Sequence, residues 1–452
     1  MGWATVQRGR STRLSLRSRA RLGAFSITAL CLIWSCRSHP PSSTKPTQPP
    51  NVLLFVVDAL RADALGVYGN DRVETPEIDR FAEAGAVFEQ AFAQSSWTRP
   101  SVTSILTGLH PSVHGVETRK DALSPSLTFL PEVFRGSGYR TGFLIANPNV
   151  GAAFGFSRGF DDFIELYGRR EEGRVSSQEL VARADRVVDR AKEWLEEVSE
   201  PFFLVVFVVD PHFPYDPPPD FHRYVEPGDS DPRRGLYDGE VSFVDRSFGR
   251  LMADLDGRRL SERTITILTS DHGEEFFEHG QIGHGKALYE ESLHVPLIVR
   301  WPGEIEAGRR IESPVELVDL MPTVLELTRL PPPPLQDGRS LFQPREGAPT
   351  LLAGLKLDGQ RKWSARAYPW KLILDRGSPK LFDLSSDPGE MRDLSGEEAD
   401  RVRELRLWVT EREENDERRR MMVHAGGQPG EGPEGELSEG VREALRELGY
   451  IK

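Results

Sequence analysis

Three apolar runs that each end in an aspartate constrain the fold more than any other feature of this sequence. They are Asn51–Asp58 (NVLLFVVD), Phe202–Asp210 (FFLVVFVVD) and Thr264–Asp271 (TITILTSD). Short apolar runs of this kind are typical of strands that are buried on both faces of a parallel sheet. Because ligands of open α/β sheets bind beyond the carboxyl ends of the strands, we expect the three acids to meet at one edge.

The rest of the body alternates strands with helices. Arg140–Ala146 and Val295–Arg300 have the character of further buried parallel strands. Helix-start signals or helical spacing occur between the strands, at Thr75–Ala84, Ser101–Leu106, Glu179–Val198 and Ser242–Leu255. This alternation predicts an α/β fold with a mostly parallel central sheet sandwiched by helices.

The C-terminal part has a different pattern. Beyond a proline-rich connection, Trp363–Asp375 and Ser378–Asp383 indicate shorter strands, which predict a small C-terminal antiparallel sheet with helices beside it. We therefore divide the 452 residues into a lipoprotein-type signal peptide at 1–36, a tether at 37–50, a catalytic domain at 51–345, a small C-terminal subdomain at 346–395 and a charged helical tail at 396–452.

The first 36 residues have the layout of an export signal. An arginine-rich segment precedes the apolar run Gly23–Ser35, which at about 13 residues is shorter than the roughly 20 needed to span a bilayer. The run ends at Cys36 in a segment that resembles a bacterial lipobox, so we expect a lipid on Cys36. The protein would then lie in the bacterial cell envelope, attached to the membrane through this lipid only. An uncleaved anchor or a misassigned start codon is the alternative.

Charge and cysteine usage exclude other classes. The formal net charge of −13 argues against a nucleic-acid partner, because such partners require a positive surface field. Both cysteines, Cys31 and Cys36, lie in the expected signal segment, so the rest of the chain can form no internal disulfide.

Thr98 is the first residue whose position indicates chemistry. Pro100 favours a helix start near Thr98, and a helix N-terminus offers free N–H groups and the positive end of a dipole to an anion. Thr98 is therefore a candidate nucleophile toward phosphate or sulfate. An ordinary N-cap threonine is the alternative.

Histidines and a lysine follow the other strands. Asp271 and His272 stand side by side at a strand end, which is a reasonable pair of metal ligands. His212 lies just beyond another strand end. Glycines flank His284 and Lys286, which indicates close backbone approach to a ligand, with a plain surface loop as the alternative.

The order of these motifs resembles the sulfatase family within the alkaline-phosphatase superfamily. The similarity runs from about Asn51 to Asp393 and covers NVLLFVVDALRADALGVYG, TPEIDRFAEAGAVFEQAFAQ, SWTRPSVTSILTGLHPSVHGV, DPHFPY, TSDHGEEFFEHG, GHGKALYEESLHVPLIVRWPG, VELVDLMPTVLEL and KLFDLSSDPGEMRDLS. The resemblance implies an alkaline-phosphatase-like fold.

By this resemblance, Asp58, Asp271 and His272 are ligands of one divalent cation. Thr98 lies at the position of the family's nucleophile and would also contact the metal. Carboxylates favour Ca²⁺ or Mg²⁺, whereas the nitrogen of His272 leaves Mn²⁺ or Zn²⁺ open.

The resemblance also implies an anion pocket lined by His212, His284 and Lys286. Either histidine could protonate the leaving oxygen of an ester, and Lys286 could hold a nonbridging oxygen.

The sequence departs from the usual sulfatase pattern at several positions. Thr98 replaces the Cys or Ser that is converted to formylglycine, and threonine has no known route to that group. Val102 replaces the arginine of the motif, Ala59 replaces the second of two paired acids, and the usual Gly-Lys-Trp-His segment corresponds to Ala146–Asn149. A group transferred to Thr98 would have to be removed by water or another acceptor.

Three functions follow as hypotheses. The first is a metal-dependent hydrolase of sulfate or phosphate esters in which Thr98 forms a covalent intermediate, acting on an anionic ester of a glycan or a lipid. The second is a cell-envelope transferase of the phosphoglycerol or phosphoethanolamine type. The third is a catalytically silent binding module that keeps the fold and the metal.

Overall fold

The computed structural model describes residues 48–168, 180–344, 347, 349–424, 430–431 and 437–451. The expected signal peptide and most of the expected tether lie outside the described residues, so the export signal and the lipid on Cys36 stay predictions. Within the described part of the chain, no helix combines the length and the hydrophobicity that crossing a membrane requires.

The strands and helices have the following bounds. The strands are β1 Asn51–Val57, β2 Ala86–Phe88, β3 Ala91–Phe92, β4 Asp121–Ala122, β5 Arg140–Ile145, β6 Asp162–Glu165, β7 Phe202–Val208, β8 Thr264–Ser270, β9 Glu275–Phe276, β10 Ile282–Gly283, β11 His294–Val295, β12 Leu297–Arg300, β13 Arg309–Ile311, β14 Val315–Glu316, β15 Leu351–Leu355, β16 Lys362–Ala367, β17 Trp370–Asp375, β18 Ser378–Asp383 and β19 Gly430–Glu431. The α-helices are α1 Pro76–Glu83, α2 Thr98–Thr107, α3 Pro111–His114, α4 Leu130–Gly136, α5 Ala184–Glu197, α6 Arg233–Gly257, α7 Glu290–Leu293, α8 Leu320–Thr328, α9 Ala399–Val423 and α10 Glu439–Glu447.

The central sheet has the strand order β13-β2-β12-β8-β1-β7-β5-β6. Strands β8, β1, β7, β5 and β6 run parallel to one another. Every residue of β1, β7 and β8 is buried, which explains why these runs show no alternation of polar and apolar residues. The predicted α/β class with a mostly parallel sheet is confirmed.

One predicted strand direction is wrong. The run Val295–Arg300 was expected to be a parallel strand, but β12 pairs antiparallel with β8, with Val299 opposite Ile267. Parallel neighbours are usually joined by a crossover helix that packs on the face of the sheet, whereas residues 271–296 connect β8 to β12 only through the short strands β9, β10 and β11 and the four-residue helix α7. A buried apolar run has no periodicity that would distinguish the two directions.

The C-terminal sheet is antiparallel, as predicted, and consists of β15 to β18 in sequence order. Helix α9 packs on it through Val402, Leu405 and Val409, which join a separate hydrophobic cluster with residues of the sheet. Helix α10 packs elsewhere, because Leu445 and Leu448 belong to the main core of the α/β body.

Candidate active site

Two acids at the ends of neighbouring strands come together at the carboxyl edge of the sheet. Asp58 follows β1 and Asp271 follows β8, and the parallel register places Val57 opposite Ser270. The acids therefore leave the sheet at the same level, with His272 beside them. One ligand atom from each of Asp58, Asp271 and His272 lies within 4.8 Å of the other two, and all three side chains are buried.

These three side chains present electron pairs toward one another. Asp58 Oδ1 and Asp271 Oδ2 have no hydrogen-bond partner among the described residues, and they lie 3.4 and 3.5 Å from Nε2 of His272. Nδ1 of His272 lies 2.9 Å from the carbonyl oxygen of Gly273. Because a carbonyl only accepts, Nδ1 carries the proton and Nε2 offers a lone pair. This donor set fits a divalent cation, and it does not identify which one.

The charges of the cluster are unfavourable without a cation. Burial, and then repulsion by Asp271, raises the pKa of Asp58 well above its usual value. Burial also raises the pKa of Asp271 to about 7. Burial, followed by the neighbouring His284, lowers the pKa of His272 far below its usual value. A cation would lower the pKa of both carboxyl groups and thus favour their ionised forms, and it would bind the neutral imidazole that burial already favours.

Thr98 is the first residue of α2 and faces this cluster. Pro100 lies in the first turn, where its fixed φ suits a helix start. The N-cap position belongs to Trp97, so the alternative of an ordinary N-cap threonine is wrong. The Thr98 hydroxyl lies 3.3 Å from Nε2 of His272 and 2.9 Å from the hydroxyl of Tyr450.

Two residues of the site were not predicted from the sequence. Asn147 follows β5, and its Nδ2 donates to Oδ2 of Asp58 at 2.5 Å and to the hydroxyl of Tyr450 at 3.2 Å. Its position beyond a strand end was a signal that could have identified it. Tyr450 comes from the segment after α10, and no local pattern in the sequence indicates its role.

His212 and His284 pack against each other beside the cluster. Their ring centroids are 4.6 Å apart, and the ring of His284 lies 4.5 Å from that of His272. His212 is buried, and its Nε2 lies 2.8 Å from the hydroxyl of Tyr450. His284 is oriented by the buried carboxylate of Glu274, whose Oε1 lies 3.1 Å from Nδ1.

A cavity of about 310 Å³ opens in front of these histidines. Its lining includes His212, His284, Lys286 and Tyr450, together with apolar residues such as Trp97. The Nζ of Lys286 donates to the carbonyl of Ile282, so the lysine lies at the wall of the cavity rather than beside Thr98.

The expectation that all three strand-end acids meet is wrong for Asp210. Its Oδ2 accepts from the backbone N–H of Ala184 at 2.8 Å, the first residue of α5. The carboxylate thus pairs with a free N–H at a helix N-terminus instead of joining Asp58 and Asp271. Val209 separates the end of β7 from Asp210, whereas Asp58 and Asp271 follow their strands directly.

Ala59, at the place of the family's second paired acid, has an unusual backbone. Its φ is 57°, in the left-handed region. Its N–H donates to Oδ1 of Asp271 at 3.4 Å, and its carbonyl accepts from the hydroxyl of Tyr237 at 3.0 Å. The backbone of Ala59 therefore positions one carboxylate of the cluster, although the side chain carries no charge.

Comparison with known proteins identifies the relatives of this chain. Residues 50–330 match the family model described as Sulfatase. A sulfatase of Formosa agariphila is 27% identical over 444 residues, with 81% of this chain and 87% of that protein covered. An arylsulfatase of Clostridium perfringens is 25% identical over 440 residues, with 77% of this chain and 91% of that protein covered.

Solved structures share the fold. The phosphonate monoester hydrolase of Agrobacterium radiobacter superposes with a TM-score of 0.69 at 22% identity, covering 82% of this chain and 96% of that one. A structure in complex with its substrate D-glucosamine-2-N,6-O-disulfate superposes with a TM-score of 0.71 at 20% identity, covering 82% of this chain and 99% of that one.

Proposed function

Because the chain belongs to the sulfatase family of ester hydrolases, we propose that it hydrolyses sulfate or phosphate esters with Thr98 as the nucleophile. One observation supports this assignment above the others. The hydroxyl of Thr98 stands at a helix N-terminus, 3.3 Å from Nε2 of His272 and next to two carboxylate oxygens that lack hydrogen-bond partners among the described residues.

Asp58, Asp271 and His272 would hold one divalent cation, with Thr98 beside it. When bound, such a cation lowers the pKa of a neighbouring hydroxyl and neutralises charge on the transferred group. Ca²⁺, Mg²⁺, Mn²⁺ and Zn²⁺ are the candidates, and adding each ion singly to chelator-treated protein distinguishes them.

The residues of the chain supply positioning and proton transfer. Thr98 attacks the phosphorus or sulfur atom and forms a covalent ester, and the leaving oxygen departs on the opposite side. His284 lines the cavity and is oriented by Glu274, so it can donate a proton to the leaving oxygen. Lys286, at the cavity wall, attracts the anionic substrate as a positive charge.

Hydrolysis of the intermediate completes the cycle. A threonine ester cannot collapse to an aldehyde, so water must attack the bound group and release Thr98 as an alcohol. His284, neutral after the first step, can accept a proton from this water.

The substrate we propose is an anionic ester of a glycan or a lipid at the cell envelope. The glycan alternative is supported by the disulfated glucosamine bound to one structural relative. Location in the bacterial envelope rests on the lipobox-like segment at Cys36, and release from membranes by Cys36→Ala would test it.

The decisive experiment is a paired assay on the purified protein. Nitrophenyl phosphate, its phosphodiester and phosphonate analogues and nitrophenyl sulfate are supplied to protein treated with a chelator, with metals added back singly. Metal-dependent turnover should fall by about 10³-fold or more in Thr98→Ala. Thr103→Ala is the matched control, because Thr103 is buried in the same helix and donates to the carbonyl of Arg99.

Each other outcome selects a different function. Turnover that survives in Thr98→Ala contradicts the nucleophile. A new ester product formed with an added alcohol identifies a transferase. Metal binding without turnover on any substrate identifies a silent binding module.

A further inference from the structure

The C-terminal segment is a packed part of the active-site region. Ser438 caps α10 by accepting from the N–H of Val441, and Leu445 and Leu448 are buried in the main core. The backbone of Gly440 lies so close to Gly168 that an added Cβ would come within 2.3 Å of its carbonyl oxygen. Buried leucine side chains and close backbone packing thus hold this segment against the α/β body.

The turn after α10 directs Tyr450 to the carboxyl edge of the sheet. Gly449 has φ of 75°, which reverses the chain at the helix end. The N–H of Tyr450 donates to the carbonyl of Leu445 at 2.9 Å, and its own carbonyl accepts from the guanidinium of Arg119. Both ends of the residue are fixed, and its ring is buried.

The hydrogen bond between Tyr450 and His212 has a definite direction. Nδ1 of His212 contacts the carbonyl oxygen of Phe213, which can only accept, so the neutral ring carries its proton on Nδ1. Nε2 is then an acceptor, and it lies 2.8 Å from the hydroxyl of Tyr450. Tyr450 therefore donates its proton to His212.

The other two contacts of the hydroxyl must then be accepted by its oxygen. Oδ1 of Asn147 accepts from the N–H of Asn149 at 2.8 Å, so its Nδ2 faces Tyr450 and donates. Thr98 lies 2.9 Å away and supplies the second hydrogen bond. If Nε2 of His272 binds a cation, the oxygen of Tyr450 is the acceptor left for the Thr98 proton among the contacts that the structure describes.

We propose that Tyr450 is a catalytic residue that relays the proton of Thr98 to His212, an inference that rests on the proposed hydrolase function. As Thr98 Oγ1 forms its bond to phosphorus or sulfur, its proton passes to the oxygen of Tyr450. The phenolic proton passes at the same time to Nε2 of His212. Tyr450 stays neutral, and His212 becomes an imidazolium.

The same relay runs backward in the second step. When water displaces the group, the imidazolium of His212 returns its proton to Tyr450, and Tyr450 protonates the departing oxygen of Thr98. His284 serves the substrate side of the reaction in both steps. The two adjacent histidines thus have separate tasks: His284 acts toward the substrate and His212 toward the nucleophile.

The test replaces Tyr450 by phenylalanine, which keeps the ring and removes only the relay oxygen. Tyr450→Phe should lower kcat by about 10²-fold to 10³-fold and leave the protein folded, with a lowered melting temperature because the partners of the hydroxyl lose a hydrogen bond. Tyr139→Phe is the matched control, because Tyr139 is a buried tyrosine whose hydroxyl has no hydrogen-bond partner among the described residues. Rates in mixtures of light and heavy water should indicate more transferred protons in the wild type than in Tyr450→Phe, because the variant lacks the transfers through the phenol.

A second readout does not require turnover. The ¹⁵N resonance of His212 Nε2, assigned with His212→Gln, should move toward the value of an unbonded nitrogen in Tyr450→Phe. An unmoved resonance, or unchanged kcat in Tyr450→Phe while Thr98→Ala is inactive, refutes the relay and leaves the proposed function intact. Faster turnover in Tyr450→Phe or Tyr450→Ala also refutes it, because the segment would then be an inhibitory plug. Absence of wild-type turnover on every ester refutes the proposed function and, with it, the relay.

Discussion

Replacing Asp271 by asparagine should raise the free energy of unfolding in the absence of metal. In the presence of metal, the variant should be less stable than the wild type. Without metal, burial raises the pKa of Asp271 to about 7, whereas an unfolded aspartate has a pKa of about 3.9. Because the pKa is raised on folding, the contribution of this carboxyl group to the free energy of unfolding is greatest below about pH 4. This contribution is lost as the pH rises through about 7. At 1.36 kcal/mol per unit, the ionised carboxylate costs about 4 kcal/mol at pH 8.

Asparagine fits the site without that cost. Its Oδ1 can keep the N–H bonds from Ala59 and His272, and its Nδ2 would face the lone pair of His272 Nε2, which lies 3.5 Å from Asp271 Oδ2. We therefore expect Asp271→Asn to raise the free energy of unfolding of chelator-treated protein by up to about 4 kcal/mol at pH 8. The gain should shrink toward pH 4, where the wild-type carboxyl is protonated in both states.

With metal, the wild type should be more stable than Asp271→Asn. Metal at 100 times its Kd stabilises the wild type by about 2.7 kcal/mol, and the variant, which lacks one charged ligand, should gain much less. Urea unfolding at pH 5 and pH 8, with chelator or with each metal, measures both effects. Asp210→Asn is the control: it removes a buried strand-end acid that contacts Ala184, so the metal-dependent gain should persist. Equal metal stabilisation of wild type and Asp271→Asn would refute the ligand assignment, and a less stable metal-free variant would refute the charge argument.

Two further predictions concern the rest of the body. His114 is buried, and its Nδ1 accepts a hydrogen bond from the N–H of Val116 at 3.0 Å. Burial lowers the pKa of His114 to about 3. The neutral ring therefore contributes its full stabilisation above about pH 6.5, and this contribution is lost as the pH falls. Between pH 7 and pH 4, protonation of His114 should therefore cost about 3 kcal/mol, measured by urea unfolding as the loss of stability in the wild type beyond that in His114→Leu. Lys371 is fully buried between the carboxylates of Glu290 and Glu390, and its Nζ lies 2.9 Å from an oxygen of each. Lys371→Met should therefore lower the free energy of unfolding by about 3–5 kcal/mol. Arg403→Ala, which removes one partner of an exposed pair, should change it by less than about 0.5 kcal/mol. A loss for Lys371→Met no larger than that for Arg403→Ala would contradict the buried-pair argument.

Local patterns predicted much of the fold. Runs such as Phe202–Val208 are uniformly apolar because both faces of a central parallel strand are buried, and this composition is visible without any structure. The helix start at Thr98 was likewise predictable, because Pro100 acts within one helical turn. The direction of β12 was not, since a short buried run pairs equally well in either direction.

The cluster of candidate metal ligands could also be predicted from the sequence. Asp58 and Asp271 each follow a buried strand directly, so a parallel pairing of the two strands brings them together. Asp210 shows the limit of that reasoning, because its carboxylate pairs with the N-terminus of α5. Which acid joins the cluster depends on the local path of the chain after the strand.

The sequence by itself therefore determined the α/β class, the family and the cluster of Asp58, Asp271 and His272. It did so because strands, helix starts and strand-end acids are encoded within a few consecutive residues. Only the tertiary structure decided that Asn147 and Tyr450 complete the site. Tyr450 is 352 positions from Thr98, and the hydroxyls of the two residues meet because Leu445 and Leu448 are buried in the main core. A contact of that sequence separation is set by the packing of distant elements, for which no local pattern exists.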